Sequence, residues 1–160
     1  MKFSRIIMIF AAVMVLASIS MADEKPWFDM KGCAFCKNLT TDPDLMKNMT
    51  WDHYDISNGV MAVTCVTPAY KESYQKAMSA MQQVGEEMQK GKTDVPMCGH
   101  CQAYGGLMQA GAKFDYVPAK VADIMIITSD KPEVQTMIKK FGQRNREEMA
   151  KMEAAEKTKN

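Results

Sequence analysis

Two short motifs constrain this chain more than anything else in it: Gly32-Cys33-Ala34-Phe35-Cys36 and Met97-Cys98-Gly99-His100-Cys101. Two residues between two cysteines let both sulfurs point at one place when a turn leads into a helix. Either a metal ion or a disulfide can then close the ring. The motifs stand 65 residues apart, so a fold must either leave each pair to act alone or bring both to one point. The chain does thiol chemistry or thiolate metal binding, and the spacing leaves both open.

The compartment bears on that choice. Lys2 and Arg5 precede an almost wholly apolar run from Ile6 to Ile19, and Ser20-Met21-Ala22 puts small residues at −3 and −1 of a cleavage site before Asp23. This is the pattern of a secretory signal peptide over residues 1–22, and the run is shorter than the roughly 20 residues that span a bilayer. The expectation is export to a periplasm or the exterior, with no stable membrane insertion after cleavage. Outside the cytoplasm thiols tend to be oxidised unless a metal or a reducing partner holds them. Five cysteines, an odd number, rule out a fully paired framework within one chain. Without Lys2 and Arg5 the basic and acidic residues stand at 18 and 19, a balance that points to no nucleic acid and no anionic surface.

After the leader the pattern reads as two similar passages. In the first, Pro26–Met30 is a short extended entry, the first motif opens a broken helical stretch, and Trp51–Ser57 and Val60–Val66 are strands joined at Asn58-Gly59, a strong hairpin signal. Thr67-Pro68 then starts a helix, as cap and first helical residue. Tyr70, Tyr74, Ala77, Met78, Met81, Val84 and Met88 give it one apolar face. In the second passage Asp94–Met97 is the extended entry and the second motif opens a helix ending near Gly111. Phe114–Val117 and Ile124–Ile127 are strands, and Asp130-Lys131-Pro132-Glu133 starts the last helix.

Laid on each other, Cys33 and Cys36 match Cys98 and Cys101, Leu45-Met46 matches Leu107-Met108, Trp51-Asp52 matches Phe114-Asp115, and Pro68 matches Pro132. The expected fold class is therefore α+β: two duplicated ferredoxin-like βαββα halves, residues 23–91 and 92–153, packed about a pseudo-twofold axis, with a frayed charged tail over 154–160. A half of about 65 residues is small for a core of its own, so the halves are expected to share one.

That order of elements, with Cys-x-x-Cys at the start of a helix, resembles the heavy-metal-associated domains of copper chaperones and transport ATPases. Those carry Met-x-Cys-x-x-Cys; here Met30 lies three residues before Cys33 and Met97 directly before Cys98. The resemblance implies soft-metal binding by Cys33, Cys36, Cys98 and Cys101. A shorter likeness is Cys98-Gly99-His100-Cys101, which is similar to the active-site tetrapeptide of protein disulfide isomerases, with Met97 and Gln102 in place of that family's flanking tryptophan and lysine. It implies thiol–disulfide exchange. The only candidate for that fold's cis-proline is Thr67-Pro68, which reads better as a helix start.

The leading expectation is an exported, non-enzymatic soft-metal-binding protein that takes Zn(II) or Cu(I) through Cys33, Cys36, Cys98 and Cys101, with His100 as a further ligand candidate. Its partners would be the metal ion or a thiol protein. An extracytoplasmic thiol-disulfide oxidoreductase is the alternative, with His100 lowering the thiol pKa. An interaction module merely braced by zinc or disulfides is the third reading. His53 reads as a satisfied surface or rim histidine, and Cys65 as a small buried core residue or else a resolving thiol. Of the 17 methionines 13 follow Met21; thioether sulfur suits Cu(I), but most fall on helix stripes as core fillers. There is no glycine-rich phosphate loop and no nucleophile with a spaced His/Asp set.

Overall fold

The computed structural model describes residues 25–119 and 122–158; the signal-peptide reading lies outside them. Over these residues the protein is mixed α+β, with four strands and three α-helices: β1 Met49–Ile56, β2 Gly59–Val66, α1 Lys71–Gln89, α2 Gly99–Gln109, β3 Lys113–Pro118, β4 Ala122–Thr128 and α3 Pro132–Lys157. The strands make one antiparallel sheet in the order β1-β2-β4-β3. No helix among the described residues is long and apolar enough to cross a membrane.

Both hairpins form, with one change of detail. Ile56 pairs with Gly59, so the two-residue turn is Ser57-Asn58 and Gly59 already belongs to β2. Glycine is needed there for proximity: a Cβ on Gly59 would run into the carbonyl of Ile127 on the neighbouring strand. The inner strands β2 and β4 then join the two hairpins into one sheet.

The extended entries behave differently from expectation. Neither Pro26–Met30 nor Asp94–Met97 forms a strand. The carbonyls of Pro26 and Trp27 instead accept from the N–H groups of Gly99 and His100, which are free donors at the start of α2. A segment that caps a helix end with its carbonyls cannot also pair in a sheet. The first motif opens a turn and a short 3-10 helix, Cys36–Thr40, rather than an α-helix.

One face of the sheet carries the helices. Val60 and Ile127 pack with Leu107 of α2 and with Val134, Ile138 and Phe141 of α3. A second cluster joins Leu45 to Tyr74 and Ala77 of α1, with Met49 and Val66 at its edge. Met78 was expected in the α1 stripe, but is 42% exposed; the buried stripe runs through Tyr74 and Ala77, and Met78 falls just outside it.

Candidate metal centre

The site is assembled from three segments. The first is the loop Asp29–Cys33. Its turn is closed by the Asp29 carboxylate, whose Oδ1 accepts from the N–H groups of Lys31 at 3.0 Å and Gly32 at 2.7 Å. Those bonds hold the Asp29 pKa below the ordinary carboxylate value. A side chain on Gly32 would collide with that carboxylate. The second segment is the strand-like approach to Cys98: Ala34 N–H donates to the carbonyl of Pro96 at 2.8 Å, which ties one motif to the other through the backbone. The third is the start of α2. Cys98 is its N-cap residue, with extended backbone. Gly99 lets the Trp27 ring lie close, since a Cβ there would sit 3.2 Å from it.

These segments bring four sulfurs together. Cys33, Cys36, Cys98 and Cys101 each offer a Sγ, and all four lie within 4.8 Å of one another. Contacts that cross between motifs are short: Cys33–Cys101 at 3.5 Å, Cys36–Cys98 at 3.6 Å and Cys36–Cys101 at 3.7 Å. None of the five cysteines is in a disulfide. Cys33, Cys36 and Cys98 are buried, and Cys101 is half-buried, so the cluster has one accessible edge. Met30 and Phe35 pack against it.

Four thiols this close share protons. Hydrogen bonding from Cys101, with smaller help from Cys98 and Cys33, pulls the Cys36 thiol down to about 6 against the opposing effect of burial. Cys101 moves strongly upward, because it holds its proton toward the Cys36 sulfur and is partly buried. Burial raises Cys98, although the N–H groups of Cys101 and Asp29 donate to its sulfur. Cys36 is thus the sulfur that its neighbours favour as thiolate.

His100 is not brought to the sulfurs. It lies in an aromatic box, with ring centroids 5.0 Å from Phe141, 5.1 Å from Trp51 and 5.3 Å from Phe28. Its Nδ1 lies 3.0 Å from Asn145 Oδ1. Trp27 Nε1 donates to the same oxygen at 2.8 Å. An indole N–H can only donate, so the amide orientation is fixed: oxygen toward Trp27 and His100, nitrogen toward His53. Asn145 Nδ2 therefore donates to His53 Nε2 at 3.0 Å, and His53 carries its own proton on Nδ1. His100 likewise carries its proton on Nδ1. Asn145 is fully buried, and one amide thus serves three partners and fastens Trp27, and with it the loop before Cys33, to α3.

Two residues fall elsewhere than expected. His53 is buried, at 4% exposure, rather than at a rim. Cys65 is exposed rather than in the core: its pairing with Thr50 and Ala122 turns it to the face away from the helices. It is not among the sulfurs gathered at the cluster. Asn145, Trp27 and Asp29 carry no sequence signal of their own, because each acts through a partner distant in the chain or through a backbone turn.

Burial, aided by the charges of His100 and Arg146, holds His53 down to about 4, against an ordinary value of 6.5. Between those two values the unfolded chain binds a proton that the folded one refuses. Stability should therefore be flat above about pH 6.5 and fall on acidification toward pH 4, by up to about 3 kcal/mol from this group. Urea unfolding across that range measures the loss, and His53→Gln should remove this share of it. An unchanged pH dependence in that variant would place the titrating group elsewhere.

Compared with protein-family models, with curated proteins and with solved structures, the chain matches none.

Proposed function

We propose that this is an exported soft-metal-binding protein in which Cys33, Cys36, Cys98 and Cys101 together hold one ion. The observation that carries the reading is the mutual approach of the four sulfurs to within 4.8 Å. Four thiolates at a zinc–sulfur length of about 2.3 Å stand about 3.8 Å apart at the corners of a tetrahedron. The three short cross-motif distances are within a few tenths of an ångström of that edge. A tetrahedral set of four sulfurs suits Zn(II) best among common ions, and Cu(I) is the second choice. The site is too tight for the several atoms of an iron–sulfur cluster to fit between the ligands. The accessible edge at Cys101 is where an ion would enter or leave. Redox exchange is the less favoured use, because the short contacts run between the motifs and His100 is spent on Asn145. The two halves also read as one repeated unit, since exchanging them leaves the order β1-β2-β4-β3 unchanged and each contributes one cysteine pair, one hairpin and one long helix.

Zinc titration at pH 7.5 tests the reading through its proton count. Metal binding requires all four thiols to ionise, and Cys36, pulled down to about 6, is already mostly ionised there. Reduced protein should take up one zinc ion and release fewer than four protons. Two equivalents bound, or none, would contradict a shared site.

A further inference from the structure

All three described helices lie on one face of the sheet. Trp51, His53 and Asp55 of β1 face them, as do Val60 and Ala62 of β2; Asp55, for instance, pairs with Arg146 of α3. Even α1 reaches this side, through Tyr74 to Thr64 and Asp123. Residues of the opposite parity make the other face, and no described helix packs on it. Its centre is Met61, Val63, Ile124 and Ile126, side by side in register, flanked by Tyr54 and Val117. The central four are half-buried by one another, while Tyr54 and Val117 are 50% and 44% exposed. Six apolar side chains thus line a face that no described helix covers.

We propose that two copies of this chain join through this face, sheet on sheet, about a twofold axis parallel to the strands. The proposal is independent of the metal reading. Two features favour a second copy as the occupant. The first is size. Four strands at about 4.8 Å and six to seven residues at about 3.4 Å give a face of roughly 19 by 22 Å. That is roughly 420 Å² of flat face per copy, and with side-chain relief the pair would bury on the order of 1,000 Å², the lower bound of a specific interface. The second is that the two margins complement each other, as an isologous contact requires. The axis lays β1 over β3 of the other copy and β2 over β4. Tyr54 and Asp115 share a row across the sheet, through Met61 and Ile126. Each Tyr54 hydroxyl therefore comes opposite an Asp115 carboxylate of the second copy, a donor against an acceptor, twice. In the same rows Met61 meets Ile126 and Val63 meets Ile124, and the smaller Cys65 meets Ala122. Asp52 falls opposite Val117 at the rim, where its carboxylate keeps its water. Two aligned sheets pack this way about 10 Å apart.

Sedimentation equilibrium of reduced protein, run with and without added zinc, tests the proposal. The expected result is twice the chain mass at tens of micromolar in both. Ile126→Lys should raise the dimer dissociation constant at least about 100-fold while leaving circular dichroism unchanged. Should that variant fail to fold, Tyr54→Lys at the exposed margin keeps the test alive: it removes the phenol and should weaken the dimer at least about 10-fold. A wild-type chain that stays monomeric to about 100 µM overturns the proposal. So does a dimer that neither folded variant weakens.

Discussion

Replacing Cys36 by serine should lower zinc affinity by more than about a hundred-fold and loosen the join between the two motifs. Cys36 makes two of the three short cross-motif contacts, to Cys98 and to Cys101. It is also the sulfur that the other thiols hold as thiolate. A hydroxyl in its place does not ionise near neutral pH and is a poor partner for a soft ion. Loss of an outer-shell partner alone commonly weakens a metal site 10- to 100-fold, and loss of a ligand should exceed that. Metal-binding energy at such a site is also folding energy, so the rise in melting temperature that excess zinc gives should be smaller in the variant. Cys33→Ser, Cys98→Ser and Cys101→Ser should act alike, with Cys101→Ser the mildest because its position is the accessible one. Cys65→Ser should change neither property. Competition against a chromophoric chelator measures the affinities. If only one motif mattered, each pair would be acting alone.

Asn145→Leu should cost on the order of 4 kcal/mol of stability, although leucine fits the volume and suits a helix. Asn145 is fully buried, and its amide meets Trp27, His100 and His53. Leucine leaves the half-buried Trp27 and His100 donors and the buried His53 acceptor without partners, each at up to about 1–3 kcal/mol. That is a large part of the 5–15 kcal/mol that holds a typical domain. The damage should reach the sulfurs as well. Trp27 is the residue whose carbonyl caps His100 N–H, and once its indole is loose the loop carrying Cys33 is less firmly set against Cys98. Zinc affinity should therefore fall too, though less than for a lost ligand. Asn145→Asp separates the partners: a carboxylate still accepts from Trp27 and His100 but cannot donate to His53. It should recover part of the loss and raise the His53 pKa. Urea unfolding and the Trp27 indole N–H resonance measure both effects.

The hairpins, the three helices and the four clustered cysteines were legible in the sequence, each for a local reason. Turn residues marked the strand ends, Pro68 and Pro132 marked helix starts, and the two-residue gaps marked the cysteine pairs. What was not legible depended on distant partners. Pro26–Met30 has the composition of an edge strand, and only the unmet N–H groups of Gly99 and His100 make it a cap. Val60–Val66 is apolar on both sides, so alternation could not say which way Cys65 points; the register with β1 and β4 decides that. His53 and His100 look like exposed or reactive histidines until Asn145, 92 and 45 residues away, supplies their partner.

The most direct test of the shared site is X-ray absorption at the metal edge of protein purified without oxidation. The account predicts one zinc per chain, ringed by four sulfurs at about 2.3 Å with no nitrogen or oxygen in the first shell. A metal-free protein with Cys33 joined to Cys36 and Cys98 to Cys101 by disulfides, recovered from the same preparation, would contradict it.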